Sequence, residues 1–277
     1  MSTPSLKIAF IGCSHFAAHD VPGQEKNNWT YQFYKKYPQH QYRNYSKGGQ
    51  GIDHFQWHLL DAKIWGADIV FVNRTYMGRW ALQFEANEPA EFDYQVQYSE
   101  DNWEEVSPIW DIAWGSVNSG PYMCWGRNTL QSTVETTDIQ RYFESNINFW
   151  KVQHTNHATQ LSYELKWYGN LHKLYNFDHL FLMDWNAHTH SSPNPEFKGE
   201  HSDIEPLSST TWDIAVEQFF MKKHNDAHPG VTLITDPKQI PNWCVSKHDT
   251  HFGPNANLLL LNEYILANPK VKKALNI

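Results

Sequence analysis

Ser14 closes an apolar stretch, Lys7-Ile8-Ala9-Phe10-Ile11, and stands two residues after Gly12. A strand that stops at a glycine and turns sharply can hold a hydroxyl above the C-terminal edge of a sheet, where a nucleophile is useful. A serine so placed also caps helices, so the partners decide. The base such a nucleophile needs is offered by His251, in Asp249-Thr250-His251-Phe252-Gly253-Pro254. An aspartate two residues upstream can hold the imidazole in one tautomer with its other nitrogen free. The same run also reads as a solvated turn. A third element is Lys47-Gly48-Gly49-Gln50-Gly51, whose glycines allow close approach and offer backbone N–H groups to a developing oxyanion. It could equally be a plain strand-to-helix turn. It matches neither G-x-x-x-x-G-K-[ST] nor G-x-G-x-x-G in the right setting.

The elements that must position these residues follow from apolar periodicity. Trp29, Phe33 and Tyr37 at helical spacing predict a helix over 28–37, ended by Pro38. Residues 39–46 read as a second strand, 52–64 as a helix, and Ile69-Val70-Phe71-Val72 as a third strand buried on both faces. From 82 to 131 the pattern dissolves into an irregular Trp-rich insertion. Helices return over 136–174, a fourth strand over 179–183, and a helix capped by Ser209 or Thr210 runs to about Lys223. A fifth short strand is expected over 231–234 and a largely helical tail over 255–275. Alternating strands and helices predict an α/β fold with a central parallel sheet of about five strands, in one domain spanning 1–277.

Composition narrows the function. The chain of 277 residues has net charge −8 and no basic run, which disfavours nucleic acid as a partner. Its three cysteines form no C-x-x-C pair, so neither a disulfide framework nor a cysteine-built zinc site is expected. The N-terminal residues lack a signal-peptide pattern and no apolar run reaches membrane-span length, so a soluble, cytoplasmic protein is expected. Aromatic residues make up 15 %, with 13 Trp, more than a core alone requires, and such rings suit stacking on sugars.

Taken together these pieces resemble the SGNH (GDSL-type) hydrolase superfamily. Gly12-Cys13-Ser14-His15 is similar to its first block, Asn44-Tyr45-Ser46-Lys47-Gly48-Gly49 to its second, and Asp249-Thr250-His251 to its last. The family's third block places an asparagine shortly after strand three. Here Asn73 stands nearest, with Thr75 or Arg79 as the alternatives that would point into the site instead. The resemblance implies a three-layer, flavodoxin-like α/β/α fold and a serine esterase acting on an acyl ester, with acetyl the favoured group. Ser14 would be the nucleophile, His251 the base and Asp249 the residue orienting it. The Ser14 and Gly49 N–H groups, with Asn73, would hold the oxyanion, and His15, Thr75 and Arg79 would contact substrate. The implied partner is a carbohydrate or small-molecule ester, with no cofactor and no metal; virion association is the second location if the chain is phage-borne.

Three rival readings stand beside this one. Cys13 adjoins Ser14 and could supply a thiol nucleophile, although a residue inside such a turn more often faces the core. Asp184, His188 and His190, or His248 and His251, carry side chains that suit zinc or manganese. The non-enzymatic alternative is a catalytically weak or inactive SGNH-like module that binds carbohydrate or builds a virion.

Overall fold

The computed structural model describes residues 4–17, 25–46, 52–74, 79–83, 102–105, 112–116, 124–125, 174–184, 216–236, 239–246 and 251–277. Strand β1 (Lys7–Ile11) lies in the middle of a five-stranded sheet with β2 (Gln41–Asn44), β3 (Ile69–Arg74), β5 (Trp103–Glu105) and β8 (His179–Asp184). The order is β5-β2-β1-β3-β8, and every pairing is parallel. β1 has β2 on one side and β3 on the other, so the connections leave it in opposite directions. In doubly wound sheets that reversal opens a crevice beyond the carboxyl ends of the strands, and ligands bind there.

The alternation along β1 sets the layers. Ile8 and Phe10 point to a face shared with Trp29, Phe33, Phe71, Phe181 and Leu260. Ala9 and Ile11 point to the other face, with Phe55, Leu59, Val70, Val72 and Leu182. Helix α1 (Trp29–Lys36) therefore covers one face and α2 (Ile52–Trp65) the other. Phe10 is the hub of the first face. Its ring meets Trp29 edge-on at 5.3 Å, Phe33 at 5.8 Å and Phe71 at 5.7 Å. Each such pair adds about 0.5–1.5 kcal/mol beyond its buried area. This packing fixes the start of α1 against the end of β1.

α3 (Val216–Ala227) packs Phe219 and Phe220 into the same layer. The tail forms α4 (Pro254–Leu259), a π-helical stretch Leu260–Ile265 and α5 (Pro269–Leu275). One continuous helix is thus replaced by three pieces. Leu266 N–H bonds back five residues to the Leu261 carbonyl, and Pro269 restarts the chain at the first position of α5, capped by Asn268. No helix among the described residues is long and apolar enough to cross a membrane.

Two expectations about strands are corrected. The fifth strand of the parallel sheet is not 231–234 but Trp103–Glu105, from the segment read as irregular. Residues 231–234 carry no strand, and Val231 and Leu233 stand 69 % and 66 % exposed. Asn225 holds the backbone of Ile234 from both sides, accepting its N–H at 2.9 Å and donating to its carbonyl at 3.0 Å. That side chain takes the backbone groups a sheet partner would need. The 82–131 segment also contributes β6 (Ile112–Ser116) and β7 (Cys124–Trp125), which join β4 (Arg79–Gln83) in an antiparallel sheet ordered β4-β6-β7. The helices expected over 136–173 lie outside the described residues.

Candidate functional site

The turn after β1 is one helical turn closed on itself. The Phe16 and Ala17 N–H groups donate to the Cys13 carbonyl at 2.9 and 3.2 Å. Gly12 is required by close approach: a Cβ there would lie 2.8 Å from Phe16 Cγ and 2.9 Å from Asn73 Cβ. Ser14 is the one partly exposed residue between Ile11 and Ala17, while Cys13, His15 and Phe16 are buried. The chain thus turns its serine outward at the carboxyl end of β1, where the strand order reverses.

The turn is held by four polar side chains from other elements. Asn28 caps α1, its Oδ1 accepting from Thr30 N–H at 3.0 Å, and its Nδ2 donates to the His15 carbonyl at 3.2 Å. The Thr30 hydroxyl and Asn44 Nδ2 both donate to the Phe16 carbonyl, at 3.0 and 2.9 Å. Asn44 Oδ1 also accepts Ser46 N–H at 3.0 Å, which fixes the exit from β2 toward the glycine loop. All four residues are buried or nearly so, and each bond gains from the low dielectric around it. The fourth member, Asn73 at the end of β3, is fully buried and donates through Nδ2 to Cys13 Sγ at 3.1 Å.

His251 is presented by a narrow hairpin. Cys244 pairs with Phe252 in an antiparallel bridge; Val245 N–H donates to the His251 carbonyl at 2.8 Å and Gly253 N–H to the Trp243 carbonyl at 3.0 Å. Phe252 anchors the hairpin in the core against Phe220 and Trp243, with rings 5.0 and 4.9 Å apart. Asn257 then ties it to α1. Its Nδ2 donates to the Phe252 carbonyl at 2.9 Å and its Oδ1 accepts Trp29 N–H at 3.1 Å. The result is that the partly exposed His251 ring lies 5.2 Å from the ring of His15, the residue beside Ser14, and His15 also faces Phe252 at 5.4 Å.

The structure therefore brings Ser14, His15 and His251 to one end of the sheet, with Asn73 below them. Asn73 is close to the turn, but its amide nitrogen is directed at the Cys13 thiol beneath the serine. Cys13 is buried, with its sulfur in that hydrogen bond. Gly49, Thr75 and Asp249 lie outside the described residues, as do His188, His190 and His248. Arg79 opens β4, and Asp184 ends β8 in register with Arg74. Among the described residues no group of three or more His, Cys, Asp or Glu side chains is arranged to hold a metal. Trp29, Trp103 and Trp243 are core residues, so these three are not available to stack on a sugar.

Sequence reasoning missed Asn28, Thr30, Asn44 and Asn257 as positioning residues. The available signal was four small polar side chains next to, or inside, apolar runs, at positions where burial demands a partner. Comparison with known protein families, curated proteins and solved structures gives no match for this chain.

Proposed function

We propose that the chain is a serine esterase of the SGNH kind, with Ser14 as nucleophile and His251 as general base. The observation that carries this reading is the convergence of a partly exposed serine, at the strand-order reversal, with an imidazole delivered to its neighbour His15 from the far end of the chain. The run β2-β1-β3-β8 within the sheet is shared with flavodoxin-like sheets, with β5 added beyond β2, and it supports the fold reading as well.

In this mechanism His251 takes the Ser14 Oγ proton as the oxygen attacks the ester carbonyl. The Ser14 and Gly49 N–H groups receive the negative charge that forms on the carbonyl oxygen. Collapse breaks the ester C–O bond, His251 returns the proton to the departing alcohol, and water then releases the acid from Ser14 by the same route. Asp249, two residues before the base, would fix its tautomer. The substrate proposed is an acyl, foremost acetyl, ester of a carbohydrate or small molecule.

A second reading has one observation in its favour. Asn73 is fully buried with its Nδ2 donating to Cys13 Sγ, so the side chain is not presented at the surface as a third oxyanion donor. This favours a slow enzyme, or a non-catalytic module on the same fold.

The test is hydrolysis of p-nitrophenyl acetate and of acetylated sugars by the wild type and Ser14→Ala, with fluorophosphonate labelling of both. The esterase reading expects turnover and labelling that both vanish in Ser14→Ala while the unfolding midpoint stays put. Turnover that survives in the variant would sink the serine mechanism. No turnover with any ester would leave the non-catalytic module standing.

A further inference from the structure

Away from the serine turn, two histidines lie face to face at the end of α3. His224 and His228 are four residues apart, a spacing that puts side chains on one side of a helical turn. Their ring centroids are 4.4 Å apart and their planes differ by 26°. His228 Nδ1 sits 2.8 Å from the His224 carbonyl oxygen. A carbonyl oxygen only accepts, so Nδ1 carries the hydrogen and Nε2 keeps its lone pair. Imidazoles that ligate metals are fixed in the same way, by donating the other ring N–H to a carbonyl or carboxylate. His228 is exposed and His224 partly so, which leaves the pair open to solvent.

From these observations we infer that His224 and His228 form a two-imidazole surface site for a divalent transition metal. A metal at about 2.0–2.1 Å from each nitrogen spans up to roughly 4.2 Å between them. With centroids 4.4 Å apart, both imidazoles reach one ion once rotation about their side-chain bonds turns the in-plane lone pairs toward it. Nearby cations are neutralised, Lys222 by Asp226 and Lys223 by Glu263. The last carbonyls of α3 add partial negative charge, which favours a cation at this end. No third protein ligand is arranged there among the described residues, so water completes the coordination. Imidazole ligands select copper, nickel and zinc over magnesium or calcium, with copper bound most tightly. Asn225, between the two histidines, clamps Ile234. A bound ion would therefore staple the last turn of α3 to the 228–234 loop. The site is independent of the esterase reading.

The experiment uses the full, untagged chain and NiCl2 at about pH 7.5. Nickel should raise the thermal unfolding midpoint of the wild type in a concentration-dependent, chelator-reversible way. His224→Asn and His228→Asn should each unfold at the wild-type midpoint without metal and bind nickel at least about tenfold more weakly by calorimetry. Lowering the pH to about 5.5 should weaken wild-type binding, because protons compete for the same lone pairs. A double variant that binds nickel as tightly as the wild type would overturn the site.

Discussion

Asn73 lies directly beneath Cys13, its Nδ2 donating to the thiol sulfur at 3.1 Å with both side chains buried. The bond ties the end of β3 to the turn that carries Ser14. It makes Asn73 a support for the serine turn, a role that differs in magnitude from donation to a substrate. An oxyanion donor is worth on the order of 10²–10³ in kcat. A buried hydrogen bond whose loss leaves one partner unsatisfied costs about 1–3 kcal/mol of stability. Asn73→Ala is expected to show the second cost, measured by urea unfolding, and less than about a tenfold loss in kcat for ester hydrolysis. A loss of a hundredfold or more at unchanged stability would return Asn73 to the oxyanion hole.

Gly12→Ala should act through space alone. The added methyl would meet the Phe16 ring and Asn73 at under 3 Å, and neither is a flexible chain end. Overpacking of this kind costs about 1–3 kcal/mol. Because the displaced atoms belong to the serine turn, catalytic rate should fall along with the unfolding midpoint. A variant as stable as the wild type would mean that Phe16 moves aside freely.

Asn257→Ala removes the acceptor of the Trp29 N–H and the donor to the Phe252 carbonyl in one step. Both backbone groups sit in buried surroundings, so a loss of about 2–4 kcal/mol is expected in denaturant titration. At a temperature where the variant remains folded, kcat should still drop, since the hairpin that presents His251 is no longer tied to α1. Full activity in the folded variant would show that the core anchor Phe252 is sufficient.

Acid should destabilise the protein through His58. Burial pushes this imidazole from an ordinary value of 6.5 down to about 3. Between those values the unfolded chain binds a proton that the folded chain refuses, so stability rises with pH across that range. The contribution is complete above about pH 6.5 and is lost as pH falls toward 3, by up to about 1.4 kcal/mol per unit. His40, whose Nδ1 accepts Leu6 N–H at 3.2 Å and whose pKa burial also lowers against the opposing pull of Asp68, works in the same direction. Unfolding free energies measured from pH 7.5 to 5 should show a steeper slope for the wild type than for His58→Phe. Equal slopes would remove His58 from the account.

The elements legible in the sequence are those whose pattern is local. α1, expected over 28–37, is Trp29–Lys36; α2, expected over 52–64, is Ile52–Trp65; β3 and β8 each run one or two residues past the predicted ends. Apolar spacing decides all four. Trp103–Glu105 is a strand only because Tyr42, Arg43 and Asn44 offer it an edge, and three residues carry no period of their own. The 231–234 run has strand composition but meets the Asn225 clamp instead of a sheet edge. At the site, Ser14 and His251 could be picked out because their types and local context suit one chemistry. Asn44 and Asn257 could not, since what they do depends on partners 28 and 228 residues away in sequence.

That last separation has a consequence for how the protein comes into being. The ribosome delivers β1, the serine turn and α1 well before α4, and the Trp29 N–H waits 228 residues for the side chain that receives it. Until α4 docks, the hairpin with His251 lacks its tie to α1. Ser14 is therefore made long before His251, the imidazole that the fold later brings to its neighbour His15.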